Sequence, residues 1–438
     1  MKEQLTLFSD FPEQPGDRIL QETVRMSNLL MAFRRVQRNG GAAGVDGVTV
    51  EVFATRLQSE LTHARELVLR GEYRPMPVRL VEIPKPGGGI RKLGIPTILD
   101  RVLQQALLQV LTPVFDPQFS PWSFGFRPGR GTRDAVKQAQ RHIRDGYRWV
   151  VDVDLAKFFD RVNHDVLMSL VARRVKDRGA LLLIRRFLQS GIMADGLTSP
   201  TLEGTPQGGP LSPLLSNIML DVLDKELERR GHRFCRYADD ANVYVRTRRA
   251  GDRVMVSMTR FLAKRLRLQV NEQKSAVDRP WQRQFLGYSV LIQKTAPLTV
   301  APDREKRMRQ KARPLLKAGR GRKLSQTLAH LAPLIRGWAS YYSLCDAKAA
   351  FERFDQWLRR RLRSILWRQW KRPATRRKEM MRRGLDAKRA WKSAYNGRGP
   401  WWNAGAPHMN HAVPTRTLRA LGYLSLLEEY QRLKSSAG

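Results

Sequence analysis

Between Trp149 and Leu155 the chain alternates without a break. Val151, Val153 and Leu155 fall on one side and Asp152 and Asp154 on the other, the two-residue period of a strand. Two acids on one face of an apolar strand are costly unless that face meets a metal or solvent. Alternation alone does not separate Asp152 from Asp154. A second pattern of β-formers runs from Phe234 to Val245 and is interrupted by Ala238, Asp239 and Asp240. It predicts a hairpin with Asp239 and Asp240 at its tip. A third pair, Arg79–Pro84 and Ile90–Ile95, is joined across Lys85-Pro86-Gly87-Gly88-Gly89 and brings Lys85 close to Arg91. That pair could hold a triphosphate, or it could be a hairpin carrying solvated charge.

Elsewhere the period lengthens to that of a helix. Helical patterns cover about Asp17 to Arg38 and, from a cap at Thr97, residues up to about Val110. Asn163 caps a further helix through Val175. Ser212 caps the next, with Pro213 at its first position and Leu214, Leu215, Ile218, Met219, Val222 and Leu223 as its buried stripe. Another helix ends near Leu268, and Phe285–Val290 reads as a strand. Phe351, Phe354, Leu358, Leu362 and Ile365 recur at spacings of three and four, with Arg359, Arg360 and Arg363 on the other faces. Two glycine-rich loops interrupt these patterns, at 39–47 and 201–210. The first suits either a flexible connection or an approach of backbone amides to phosphate. A Pro-, Lys- and Arg-rich stretch near 295–325 marks a domain boundary.

Charge changes the picture. The chain has 438 residues, 80 Lys and Arg against 40 Asp and Glu, and a formal net charge of +40. A chain this basic requires polyanionic partners. The excess is uneven: residues 301–438 hold 33 Lys and Arg against 9 Asp and Glu, whereas residues 1–300 hold 47 against 31. Because the basic residues are interleaved with Trp, Leu and Ile, folded nucleic-acid-binding surfaces are expected rather than a disordered basic tail. Trp391, Tyr395, Trp401 and Trp402 lie among these cations and suit either base stacking or a core. Cys235 and Cys345 are too few for a zinc site or a disulfide framework and read as buried thiols in a reducing compartment. No apolar run suggests a membrane span, and Met1-Lys2-Glu3-Gln4 lacks a signal-peptide core, so a cytosolic protein is expected.

Adjacent carboxylates such as Asp239 and Asp240 repel each other unless a cation neutralises them. Hard oxygen ligands with no His or Cys nearby favour Mg²⁺. An ordinary surface turn would also accept Asp here.

The order of the pieces resembles the reverse transcriptase–maturase proteins encoded by bacterial group II introns, over roughly Val45 to Arg372. Ile83-Pro84-Lys85-Pro86 with Arg91 looks like the first finger block of that family, and Ser123-Phe124-Gly125-Phe126-Arg127-Pro128-Gly129-Arg130 like the second. Asp154-Leu155-Ala156-Lys157-Phe158-Phe159-Asp160 resembles the first palm motif and Gly204-Thr205-Pro206-Gln207-Gly208-Gly209 the template-side loop. Tyr237-Ala238-Asp239-Asp240 resembles the palm turn and Phe285-Leu286-Gly287-Tyr288 the primer-grip strand. Leu334–Tyr342 resembles the start of the maturase helices.

The resemblance implies an α+β, right-hand polymerase with an antiparallel palm sheet packed on helices, followed by an α-helical thumb. The implied divisions are an N-terminal extension (1–75), fingers and palm (76–298), thumb or maturase helices (299–373) and a basic DNA- or RNA-binding region (374–438). It implies an RNA-directed DNA polymerase that also binds its intron RNA in splicing and retrohoming. Asp154, Asp239 and Asp240 would be catalytic and hold two Mg²⁺ ions, with Mn²⁺ as an alternative. The resemblance selects Asp154 over Asp152 and makes Phe159 the steric gate. Lys85, Arg91, Phe159, Gln207 and Lys274 would bind the deoxynucleoside triphosphate, and Gly208, Gly287 and Arg127 the template and primer. The partners implied are intron RNA, an RNA template with DNA primer or target, and no membrane. The location implied is the bacterial cytoplasm, at the nucleoid while acting on DNA. Two other roles stay open: an RNA-binding splicing cofactor alone, and a host-adopted relative in repair or antiviral defence. The tail lacks the paired cysteines and His-Asn-His pattern of the nuclease that some relatives carry, so the endonuclease-lacking type and no second-strand cleavage are expected.

Overall fold

The strands form where β-branched and aromatic residues alternate with polar ones, and among the described residues they assemble into two four-stranded sheets, the central one antiparallel, and one two-stranded sheet. The protein is described by a computed structural model covering residues 18–84, 88–194, 197–199, 203–204, 208–346 and 348–436. Lys85, Gln207 and the 205–207 part of the second glycine loop lie outside the described residues. The strands are β1 (Val78–Pro84), β2 (Ile90–Ile95), β3 (Trp149–Val153), β4 (Ile192–Ala194), β5 (Leu197–Ser199), β6 (Arg233–Tyr237), β7 (Asp240–Val245), β8 (Ala276–Asp278), β9 (Tyr288–Val290) and β10 (Leu298–Val300).

The central sheet has the order β6-β7-β3-β8. β3 lies antiparallel between β7 and β8, with Val151 opposite Val243 and Asp152 opposite Asn242. Val151, Val153, Val243 and Val245 all enter the main apolar core. The helix Arg248–Phe261 packs on that face through Gly251, where a Cβ would lie 2.4 Å from Val277. The strict alternation of β3 thus has its physical cause in a sheet with one face in the core. A second sheet, β2-β1-β4-β5, carries the β1–β2 hairpin, in which Ile83 faces Arg91.

The predicted caps form. Thr97 accepts from the Asp100 amide at the start of Ile98–Phe115, and Asn163 accepts from the Val166 amide at the start of His164–Ala172. The helix begun by Asn163 stops before Val175, and the one predicted from Asp17 is broken into Ile19–Thr23 and Met26–Asn39. The helix at 212 differs slightly: Ser212 is its first residue and Leu211 its cap. The glycine loop at 39–47 is pinned rather than free. Arg101 donates to the Gly40 carbonyl at 3.4 Å and to that of Ala42, and Gly44 sits against the Thr97 backbone.

The chain divides into two compact units, 1–279 and 280–438. The division falls ahead of the expected boundary at 298/299, so β9 and β10 belong to the second unit. That unit is otherwise helical. The apolar stripe Phe351, Phe354, Leu358, Leu362 and Ile365 of Lys348–Gln369 is buried as its spacing requires. The last helix, Leu426–Ser435, returns to this core. Asp355 accepts from Tyr423 and Ser425 hydroxyls (2.9 and 2.7 Å) and from the Leu426 and Leu427 amides (2.9 and 3.0 Å). The basic tail is therefore folded into the second unit. No helix among the described residues is long and apolar enough to cross a membrane.

Candidate active site

The hairpin β6–β7 closes through two residues, Ala238 and Asp239, with Tyr237 paired to Asp240. Ala238 has φ +57° and Asp239 does not share the positive sign, the arrangement of a II′ turn, where glycine is usual at the first position. A non-glycine residue there costs about 1–3 kcal/mol and persists only where its surroundings hold it. Two features hold it. A Cβ on Gly125 would lie 2.3 Å from the Ala238 nitrogen, so only glycine lets the 123–127 loop lie against the turn. The Arg236 guanidinium donates to the Ala238 carbonyl at 2.9 Å from below.

Arg236 is itself fully buried. It forks onto Asp224 (Nε 2.8 and 2.9 Å, Nη2 2.6 Å) and donates to Asn217 Oδ1 at 2.9 Å, while Asn217 donates to the Gly125 carbonyl at 2.9 Å. One charged network thus ties the helix Ser212–Arg229, the Gly125 loop and the acidic turn together. Sequence reasoning missed it. The signal was an acid inside a buried stripe: Asp224 lies at helical spacing between Leu220 and Leu227, both buried, and such an acid requires an internal cation.

Asp154 follows β3 directly. Its amide donates to Ser275 Oγ (3.0 Å) and its carbonyl accepts from the Asn271 amide (2.8 Å), so the 269–275 segment fixes its backbone. Lys274 Nζ lies 3.6 Å from Asp154 Oδ2. Burial pushes the Asp239 carboxyl above the usual carboxylate range. The charge of Asp154 raises it further, and Arg91 and Arg236 pull it down. Asp154, Asp239 and Arg91, far apart in sequence, therefore share one electrostatic site. Asp152 is engaged within the sheet instead. The Asn242 amide, oriented with its nitrogen toward Asp152, donates to Oδ1 at 3.0 Å.

The three acids of the expected arrangement take different places in the fold. Asp240 opens β7, opposite Tyr237, and is exposed. Among the described residues no three His, Cys, Asp or Glu side chains gather closely enough to hold one ion. The two-residue turn puts Asp239 at the tip and Asp240 in the ladder.

Two further residues of the expected site are enclosed within the fold. Arg127 is buried, with Nε on Asp116 (2.7 Å) and its other nitrogens on the carbonyls of Ser120, Ser123 and Asp116. It shapes its loop; the exposed member of that loop is Phe126, whose ring lies 6.3 Å from Tyr237. Gly287, at φ +81°, is covered within the second unit: a Cβ there would lie 2.8 Å from the Tyr342 hydroxyl and 3.2 Å from Arg304. Its missing side chain leaves room for Tyr342 and Arg304. Gly208 lies against the Gly94 carbonyl of β2, and Gly204 against the backbone of Phe159 and Asp160. Phe159 is half-buried in the turn Phe158–Asp160, its ring 5.1 Å from that of Phe158.

Chemically, two oxygen-only carboxylates, one of them resisting ionisation, fit a divalent cation whose remaining ligands are water or phosphate oxygens. An adjacent guanidinium fits a phosphate.

Comparison with known proteins agrees with this chemistry. Residues 83–290 match the family described as reverse transcriptase (RNA-dependent DNA polymerase), and residues 305–384 match the group II intron maturase-specific domain. Protein YkfC of Escherichia coli K12 is 39% identical over 191 residues, 43% of this chain and 50% of that protein. The group II intron-encoded protein LtrA of Lactococcus lactis is 33% identical over 211 residues, 48% of this chain and 35% of that protein. A putative COX1/OXI3 intron 1 protein of Saccharomyces cerevisiae is 27% identical over 227 residues, 52% of this chain and 27% of that protein. The matched stretch thus spans half or less of these relatives' own length. A solved Cas6-RT-Cas1–Cas2 complex aligns at 23% identity with a TM-score of 0.36, over 56% of this chain and 26% of that one; a likeness that weak carries no argument.

Proposed function

Since the chain belongs to the reverse transcriptases that carry a group II intron maturase-specific domain, we propose that it copies RNA into DNA at Asp154 and Asp239 and binds intron RNA through its second unit. The observation that carries this reading is the pairing of β3 with β7, Val153 opposite Ala241, which sets Asp154 at the end of β3 beside the turn that carries Asp239. Divalent cations, Mg²⁺ first and two in number, would lower the pKa of the primer 3′-hydroxyl and neutralise the leaving pyrophosphate. Asp154 and Asp239 would hold them. Arg91, with Lys85, would donate charge-assisted hydrogen bonds to the triphosphate of the incoming deoxynucleotide. Gln207 and Gly208 would face the templating base, and Phe159 would exclude a 2′-hydroxyl. Asp240, exposed in the ladder, would shape the turn. The bacterial cytoplasm, and the nucleoid during action on DNA, is the compartment this reading implies.

The test is primer extension on an RNA template with purified protein. Asp239→Asn should reduce extension at least 100-fold (roughly 3 kcal/mol of transition-state stabilisation) while RNA affinity stays within about twofold. Phe159→Ala should admit ribonucleotides. Near-normal extension by Asp239→Asn would sink the proposal, and unchanged sugar selectivity in Phe159→Ala would remove the gate.

A further inference from the structure

Within the second unit, the helices Pro302–Ala318 and Lys348–Gln369 border a cleft of about 240 Å³. Arg313, Lys317 and Arg320 line one side, Arg361 and Arg368 the other, and Trp401 completes it; no carboxylate lines it. Among the described residues none of these five cations has a carboxylate within ion-pair distance. Arg361 is the most constrained. Its Nε is buried without a hydrogen-bond partner, and burial together with the charges of Arg313, Arg320, Arg368 and Arg360 lowers its pKa. The walls are tied together: the Gln369 amide donates to the carbonyls of Gly319 (3.2 Å) and Arg322 (2.8 Å), joining the end of one helix to the turn after the other.

Like charges gathered in a partly desolvated cleft repel one another, and an anion placed among them relieves that cost. Trp401 adds a flat apolar face. Its ring is held under Arg360 and Arg361, whose guanidinium carbons lie 4.2 and 4.5 Å from the centroid, and its carbonyl accepts from Arg360. It nevertheless remains 38% exposed. The cleft is smaller than the roughly 300–1,000 Å³ typical of small-molecule pockets, so it has room for about one nucleotide and none for a duplex.

We propose that this cleft binds one nucleotide of a single-stranded nucleic acid, its phosphate held by Arg361 and Arg368 with Arg313, Lys317 and Arg320, and its base laid on Trp401. The inference rests on the polymerase reading only for the identity of the polyanion; the cation cluster requires an anion in either case.

The test is fluorescence anisotropy of the full chain with labelled RNA and DNA single strands of one sequence, titrated with salt. Arg361→Gln/Arg368→Gln should bind about tenfold more weakly, and its salt dependence should be shallower by about 0.7 for each phosphate no longer neutralised. Arg313→Gln/Lys317→Gln changes only exposed side chains and should show the same loss, independent of any folding defect in the first pair. Trp401→Ala should weaken binding of a base-bearing strand but not of an abasic strand of equal length. The polymer, RNA or DNA, that loses more affinity is the natural occupant. Both double variants binding both polymers as the parent does would overturn the site. Primer extension by the parent, run in parallel, keeps the two readings apart: an active parent with unaffected variants removes the cleft alone, and an inactive parent with weakened variants removes the polymerase alone.

Discussion

Two sets of arginines, one in each unit, are used differently: one set is paired inside the fold and the other lies on indoles. The first unit also places guanidiniums on rings, Arg279 lying 4.2 Å from the Trp149 centroid, and the second also has ion pairs such as Arg432 with Glu429. In the first set, guanidinium groups are consumed inside the fold. Arg236 is buried on Asp224, Arg127 on Asp116, and Arg186 donates to the carbonyls of Gly71 and Tyr73 (2.7 and 2.8 Å). In the second, they lie on indoles: Arg361 over Trp357 and Trp401, Arg376 over Trp367 and Arg398 over Trp402. A forked ion pair satisfies the donors and cancels the charge. A ring supports the flat face of the guanidinium but leaves its N–H edge and its charge available. The first arrangement braces the Asp239 turn, proposed as catalytic; the second leaves the guanidinium charge uncancelled. Composition counts both as basic residues, so net charge alone says nothing about which of them can meet a phosphate.

The largest break in this comparison is at Arg236. Arg236→Met leaves Asp224 buried without a cation and should cost about 3–5 kcal/mol of unfolding free energy in denaturant titration. Arg236→Met/Asp224→Leu removes both charges and should recover most of that stability. Extension should stay low in the double variant, because the donor to the Ala238 carbonyl is gone. The matched change in the second unit, Arg398→Met, should cost about 0.5–1 kcal/mol. Equal losses at the two arginines would erase the contrast.

What was legible in the sequence is local. The alternation of β3, the hairpin around Asp239, the β1–β2 pair and the caps at Thr97 and Asn163 all depend on neighbours a few residues away. Resemblance then ranked Asp154 above Asp152; Asp152 stands opposite Asn242 within the sheet. What was not legible depends on partners brought from a distance. Nothing near Arg127 announces Asp116 as its partner, and the glycine at 287 is explained by Tyr342 and Arg304. The tail tryptophans stood equally for core or stacking. The structure leaves Trp391 and Tyr395 exposed, their rings stacked at 5.5 Å, while Trp367 and Trp370 of the preceding helical segment are buried.

A second buried acid of the first unit sharpens what a cation contributes. Asp100 has no Arg fork; it accepts from the hydroxyls of Tyr73 (2.7 Å) and Thr97 (2.6 Å) and from the Met76 amide (3.3 Å). Burial raises its pKa to about 6, and these hydrogen bonds only partly oppose that. A raised folded-state pKa means the folded protein holds the proton more tightly. This group therefore favours folding most below about 4, and the contribution is lost as pH rises through about 6. Asp100→Asn does not titrate. Between pH 4 and pH 7 the stability difference should shift in favour of the Asn variant by about 2 kcal/mol, read from paired denaturant titrations. A difference that stays flat across this range would show that the hydroxyl donors hold the ionised form as well as a cation would.

The smallest expected effect separates an ion pair that supports the fold from one that serves the site. Lys274 lies 3.6 Å from Asp154 Oδ2, with its side chain 65% exposed. A pair this exposed contributes about 0–1 kcal/mol, so Lys274→Met should leave the unfolding midpoint nearly unchanged. Its charge nonetheless stands beside the carboxylate proposed to hold metal. Removing it leaves Asp154 a stronger attractor for divalent cations but takes a cation from the triphosphate side. Extension by Lys274→Met should therefore saturate at lower Mg²⁺ while requiring several-fold more deoxynucleotide. If the variant unfolds measurably earlier and keeps both concentration dependences, Lys274 belongs with the internal ion pairs of the first unit.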